Sequence, residues 1–334
     1  MTIYDISEKA GVSIATVSRV LNGSSNVSEK TRKKVLDVIE RYEYKPNAFA
    51  RGLGLNTMNT IGILCADSSD LYLAKAVYHI ERKLRAEGYD SILCCTGYAR
   101  DAKTAYLNLL ITKKVDGIVL VGSNFVYEKE SDNRYIADAA AQVPVMLLNA
   151  ELDIPNVYSV VSDDYTSMYE ATRQMIACGI PDIVYFYNSS SYSGKKKLAG
   201  YRAAMAEAGL SDDGLLQFYH GSHEDIPAMT RQLREARGRG LSFHGVIAAD
   251  DNLALAAVKY ARLAGCSVPE DFCVIGYNNS VLALCCEPEL TSIDSKLETL
   301  CQSLVASLTG TLNGSEMPKK TIFSGELIKR GTTR

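Results

Sequence analysis

The chain has 334 residues, 47% of them hydrophobic and 22% charged, which excludes a disordered chain and exceeds what one small domain holds. Its net charge of −3 hides an asymmetry: residues 1–54 carry nine Lys or Arg against six Asp or Glu, and the remainder 27 against 33. A basic end on an acidic body confines phosphate-seeking surface to that end.

Nine cysteines include the adjacent pairs Cys94-Cys95 and Cys285-Cys286 but no C-x-x-C. They read as free thiols of a reducing compartment. There is no signal-peptide pattern and no apolar run of membrane-spanning length, so a cytoplasmic location without a membrane partner is expected.

Thr2-Ile3-Tyr4-Asp5 is a capping box opening a first helix whose Ile3, Ile6 and Ala10 share a face. Gly11-Val12 supplies a short turn, and Ser13 can cap a second helix that Asn22-Gly23 stops. In that helix Val17, Val20 and Leu21 form one apolar stripe, leaving Ile14, Ala15, Ser18, Arg19 and Asn22 on the opposite face. Small residues around a single guanidinium fit a major groove, where Arg pairs with guanine O6 and N7. Ser28 caps a third helix, with Val35, Leu36, Ile39 and Tyr42 expected inward. Three short helices closing on one another make a helix-turn-helix unit of about fifty residues.

Thr2-Ile3-Tyr4-Asp5-Ile6, Ala10-Gly11-Val12-Ser13, Ala15 through Asn22, Val27-Ser28, Thr31-Arg32 and Tyr44-Lys45-Pro46-Asn47-Ala48 closely resemble the headpiece of the LacI/GalR family of bacterial transcription regulators. The similarity runs more loosely to the last residues. It implies that Arg19 reads guanine and that Ile14 and Ala15 make apolar base contacts. Tyr4, Ser13, Thr16, Ser18, Asn22, Thr31, Tyr44 and Asn47 hold phosphates or fix the register. It also implies that residues 47–59 are a hinge, with Ala50 on its short helix and Leu53 wedged into the minor groove. Gly52 and Gly54 depart from the family pattern there, and each glycine in a helix costs roughly 0.5–1 kcal/mol relative to alanine.

From Ile61 onward apolar strands alternate with amphipathic helices. Strands are expected at 61–65, 91–95, 116–121 and 145–148, with helices at 74–87 and 102–113. A second series follows: helices 166–178, 198–208, 225–237 and 252–264 between strands at 183–187, 217–219, 245–248 and 273–277. A helix 295–311 and a strand 321–324 end the chain. Such alternation means parallel sheets covered on both faces, and two series mean two lobes. The fold class is therefore α/β, with an all-α helix-turn-helix headpiece before a two-lobed body. The resemblance makes that body like type I periplasmic sugar-binding proteins, with three crossings between lobes. The domains expected are 1–46, 47–59 and 60–334, the first lobe being 60–160 with 291–320 and the second 161–290 with 321–334.

Ligands of open parallel sheets bind beyond the carboxyl ends of the strands, and the loops there are rich in Ser, Asn, Asp and Tyr. By resemblance, effector contacts fall to Tyr72, Ser123, Asp163, Lys197, His223, Asp251 and Asn278. Lys197 stands where Arg is common, and Asn278 where Asp is usual. A cation without that carboxylate points to a charged metabolite rather than a neutral hexose, unless Asp163, Asp164, Asp250 or Asp251 faces the cleft. The 195–197 lysine run reads as a solvated helix start.

His220 to Asp225 does not space as a metal site, and no dinucleotide loop, P-loop or nucleophile elbow occurs, so neither cofactor nor enzyme activity is expected. The reading is a homodimeric transcription regulator, a repressor, of pseudo-palindromic double-stranded operator DNA under a small-molecule effector. A cytoplasmic binding protein without regulatory DNA binding and an enzyme on a doubly wound fold are the alternatives.

Overall fold

A computed structural model of the chain describes residues 1–21, 23–44 and 57–334. Helices α1 (Ile3–Ala10), α2 (Ile14–Leu21) and α3 (Glu29–Arg41) close on Ile6, Ala10, Val17, Val20 and Val35. The capping box forms: Thr2 accepts from Asp5 N, and Asp5 accepts from Thr2 N at 2.7 Å. Gly11, at φ +57°, makes the turn into α2 in a left-handed conformation that glycine adopts without strain. Val38 and Ile39 pack inward with Val35. Leu36 and Tyr42 do not: both are exposed, and Lys9 lies over the Tyr42 ring. An α-helix this short buries one narrow stripe, and Val35, Val38 and Ile39 already fill it.

Two six-stranded sheets follow. The first orders β11-β5-β4-β3-β1-β2, using β1 (Thr60–Cys65), β2 (Asp90–Cys95), β3 (Gly117–Val121), β4 (Val145–Leu148), β5 (Val157–Ser162) and β11 (Lys320–Phe323), all parallel. The second orders β12-β10-β9-β8-β6-β7, using β6 (Ile183–Tyr187), β7 (Leu216–Phe218), β8 (Gly245–Ala248), β9 (Cys273–Tyr277), β10 (Thr291–Asp294) and β12 (Glu326–Ile328). Only β12 pairs antiparallel among these, against β10.

Helices α4 (Leu71–Ala86) and α12 (Leu297–Leu312) cover one face of the first sheet, while α5 (Arg100–Thr112) and α6 (Arg134–Ala140) cover the other. In the second lobe α7 (Asp164–Ala177) packs on α8 (Tyr192–Glu207), and α9 (Ile226–Gly238) on α10 (Asp251–Leu263). The short α11 (Val281–Cys285) completes it. Burial on both faces explains the near-continuous apolar strands: all five residues of β3 are buried.

The chain leaves the first sheet after β5, returns after β10 and leaves again after β11. Thr291–Asp294 thus belongs to the second sheet and Lys320–Phe323 to the first, so the second and third crossings come a few residues after 290 and 320. Thr-Ser-Ile-Asp carries one large apolar side chain, too little to read as a strand; its pairing with β9 is set by neighbours far away in sequence. Helix α8 begins at Tyr192 rather than 198, because Ser191 accepts from Gly194 N and caps a start whose lysines conceal it.

Candidate functional site

The outer face of α2 is free of the headpiece core. Ile14 is 40% exposed, Ala15 and Arg19 are exposed, and Thr16 and Ser18 lie half-buried at its edge. Ser13 accepts from Thr16 N at 3.2 Å and meets Thr16 Oγ1 at 2.9 Å; Ser28 and Thr31 repeat this arrangement at the start of α3, with oxygens 2.8 Å apart. Two helix N-termini edged with hydroxyls are suited to anchoring phosphate oxygens. Tyr4 is 68% exposed on α1, whereas Tyr44 is half-buried and packs against the headpiece core. Asn22, Asn47, Ala50 and Leu53, with Gly52 and Gly54, lie outside the described residues.

Between the carboxyl ends of the two sheets runs a cleft of about 1170 Å³. In each sheet the chain reverses its winding next to the leading strand, β1 or β6, and the loops there open a crevice. Tyr72, Ser123, Lys197, His223, Asp251 and Asn278 all line the cleft. Asp163 does not. Its carboxylate accepts from Thr166 N at 3.1 Å to cap α7, and the neighbouring Asp164 takes the cleft position.

Asn278 sits at φ +92°, a conformation asparagine tolerates better than most residues, so backbone geometry favours this residue as well as ligand chemistry. Asn124, Asn149, Asn188 and Asp250 also line the cleft. Each follows a buried strand, β3, β4, β6 or β8, and that placement is the signal by which they could have been found.

On the second lobe Lys197 Nζ donates to Ala249 O at 2.9 Å and lies 3.6 Å from the Tyr277 ring centroid. It is buried, not solvated like Lys195 and Lys196. Asp164 accepts from Ser193 Oγ at 2.5 Å and from Tyr277 OH at 2.6 Å. Asp250 accepts from Asn188 and from Leu253 N, both at 2.9 Å. Asp251, 2% exposed, accepts from Ser280 N and Ser292 Oγ, each at 2.6 Å. A side chain on Gly276 would bring its Cβ to 2.3 Å from Asp251 Oδ1, hence glycine before Tyr277.

Burial pushes the Asp164 and Asp250 carboxyls up, against the pull of Lys197, and pushes Lys197 down. Burial likewise pushes Asp251 up to about 6, although its hydrogen bonds oppose this.

The first lobe builds its wall differently. Asn149 donates to the Tyr72 hydroxyl and accepts from Ser162 N at 3.0 Å. Beneath this wall Lys103 is buried, donating to Asn124 O at 2.6 Å and Tyr127 OH at 3.1 Å, with the Phe125 ring 5.2 Å away. Burial alone lowers its pKa to about 8. On opposite walls, Asn124 Oδ1 and His223 Nε2 are shielded from solvent without a hydrogen-bond partner among the described residues. Buried polar atoms are rarely left unpaired, so both are poised for a ligand.

The lobes also touch directly. Ser123 and Ser191 hydroxyls are 2.8 Å apart, Tyr192 OH donates to Glu151 at 2.7 Å, and Lys195 pairs with Glu128.

The geometry weighs against an anion as the charged metabolite expected. Asp67, Asp70, Asp164, Glu224, Asp250, Asp251, Asp294 and Glu298 line the cleft against Lys75, Lys197 and Lys296, so carboxylates are abundant and an anion meets net repulsion.

Residues 2–47 match the family described as bacterial regulatory proteins, lacI family, and residues 172–333 the periplasmic binding protein-like domain. An HTH-type transcriptional regulator of Lachnoclostridium phytofermentans is 52% identical across 100% of this chain and 99% of that protein. The chain belongs to the lacI family of bacterial regulatory proteins. As a family member it is a helix-turn-helix transcription regulator, and the fold expected of it holds. Among solved structures, a complex of the transcriptional regulator CelR with cellobiose is 26% identical, with a TM-score of 0.71 over 99% of each chain. The Lac repressor dimer bound to operator and the anti-inducer ONPF aligns at a TM-score of 0.87 over 100% of this chain and 99% of that one. At 24% identity that likeness shows the fold.

Proposed function

We propose that the chain is a homodimeric repressor that reads a pseudo-palindromic operator through α2 and answers to an uncharged, hydroxyl-rich effector held between the lobes. Residues 1–46 are its reading head, 47–59 its hinge and 60–334 its effector and dimerisation body. It works in the cytoplasm and catalyses no reaction; no helix among the described residues is long and apolar enough to cross a membrane.

The observation that carries the reading is the exposed Ile14, Ala15 and Arg19 face above a closed headpiece core. The operator complex of the Lac repressor dimer supports the partner and the symmetry. The effector class rests on the acceptors facing the cleft, among them Asn124 Oδ1, which call for a ligand that donates hydrogen bonds. A neutral disaccharide in the CelR structure agrees with that class.

Selection of a binding site from random duplexes tests the DNA role. Arg19→Ala should cost about 1–3 kcal/mol on the selected site and relax one base position. Equal weakening on random DNA would make Arg19 a phosphate contact instead. A melting screen tests the effector class: neutral sugars should stabilise the protein, and sugar phosphates should not. The reverse ranking would overturn it.

A further inference from the structure

We propose that Cys65 and Cys95 form a modification site, a thiol pair that hydroperoxides convert to a reversible disulfide between β1 and β2. The two residues are register partners at the carboxyl ends of neighbouring parallel strands, and their sulfurs are 3.8 Å apart. Adjacent strands lie about 4.8 Å apart, within the Cα separation that bridged cysteines span. The vicinal Cys94 is no competitor, because it is buried in the core on the other face of the sheet.

The pair is asymmetric. β2 is the edge strand of its sheet, and Cys95 is exposed on it, whereas Cys65 is buried in the core under α4 and α12. Cys95 is therefore the sulfur that meets an oxidant. Burial and the neighbouring Cys95 hold the Cys65 thiol up at about 12, so Cys65 is not the thiol that the oxidant meets first.

In the first step the Cys95 sulfur attacks the terminal peroxide oxygen. The O–O bond breaks, and Cys95 becomes a sulfenic acid as an alcohol, or water from hydrogen peroxide, departs with the thiol proton. In the second step the Cys65 sulfur attacks the Cys95 sulfur. The S–O bond breaks, the S–S bond forms, and the Cys65 proton leaves with the hydroxyl as water. The two thiols give up two electrons in all, and the peroxide accepts them.

The position gives the bond a reach beyond itself. Thr96 N donates to Cys65 O at 2.8 Å and Gly97 N to Ala66 O at 2.9 Å, continuing the ladder into the loops that carry Asp67, Asp70 and Tyr98 to the cleft. Drawing the sulfurs together moves the base of that wall.

The test treats the full-length protein with hydrogen peroxide, alkylates remaining thiols and digests with trypsin. Peptides 52–75 and 86–100, which hold Cys65 and the Cys94-Cys95 pair, should appear cross-linked, with two thiols lost per chain. Dithiothreitol should separate them. Cys94→Ser should keep the link, and Cys65→Ser and Cys95→Ser should each abolish it, with circular dichroism confirming that the reduced variants are folded. Oxidation of Cys95 to sulfinic acid without a link would overturn the proposal. So would a Cys95–Cys95 link between subunits, or a wild-type protein whose two thiols resist oxidation.

Discussion

Each lobe buries one lysine beneath its cleft wall, and the two are stabilised by opposite means. Lys103 in the first lobe has a backbone carbonyl, a phenol and an aromatic face, and no carboxylate pairs with it among the described residues. Lys197 in the second lobe feels Asp164, Asp250 and Asp251 together. The same fold therefore tolerates a buried cation either on dipoles and ring faces or inside a network of charge. Burial lowers the pKa of both lysines, and only at Lys197 do carboxylates pull the other way, so that removing one member of that network exposes the others.

The largest expected effect follows from breaking the network. Lys197→Met should destabilise the protein by about 3–5 kcal/mol in urea unfolding, because buried carboxylates lose their cation. Adding Asp164→Asn should recover much of the loss. A Lys197→Met protein as stable as wild type would dissolve the contrast.

Next, the lone lysine should show itself through pH. Its pKa lies lowered to about 8 from 10.5, so the folded state binds fewer protons than the unfolded between those values, and stability should rise with pH across that window by about 3 kcal/mol. Lys103→Met should flatten the rise and change stability little above it.

Asp251 sharpens the comparison at the acid end. Its pKa is raised from 3.8 to about 6, so its contribution is full below about pH 4 and is lost as pH rises through 6. The stability of Asp251→Asn should accordingly fall less than that of the wild type over that interval, by about 3 kcal/mol. The smallest effect is expected where the lobes meet. Tyr192→Phe removes the hydroxyl that reaches Glu151 and should loosen closure by about 1 kcal/mol, seen as a larger radius of gyration in solution scattering.

How much of this was legible in the sequence divides along the same line. The headpiece could be read almost residue by residue, because capping boxes, a turn glycine and apolar stripes are local signals, and Thr2, Gly11 and Val17 each act within a few positions. Cleft-lining positions such as Tyr72 and Lys197 could be named from resemblance, but their surroundings could not. Asp163 and Asp164 are adjacent and chemically identical; which one caps a helix and which one faces the cleft depends on Ser193 and Tyr277, far along the chain. The burial of Lys197 was hidden by Lys195 and Lys196, and Lys103 looked like any other lysine of an amphipathic helix. The expectation of a charged metabolite weighed Lys197 and Asn278, whereas the charge of the cleft is a sum over loops from two sheets, and Asp164, Asp250 and Asp251 all enter it.

The crossings between the lobes also fix when the molecule can be finished. β11 and β12 close one edge of each sheet, and both come from the last fifteen residues of the chain, as does none of the headpiece. On the ribosome the reading head can fold while most of the body is still unmade, since domains fold as units from the amino end. Neither sheet can be completed until residues 320–328 have been made. The headpiece is thus ready before the part that controls it, and a chain truncated before residue 320 would lose a strand from both lobes at once.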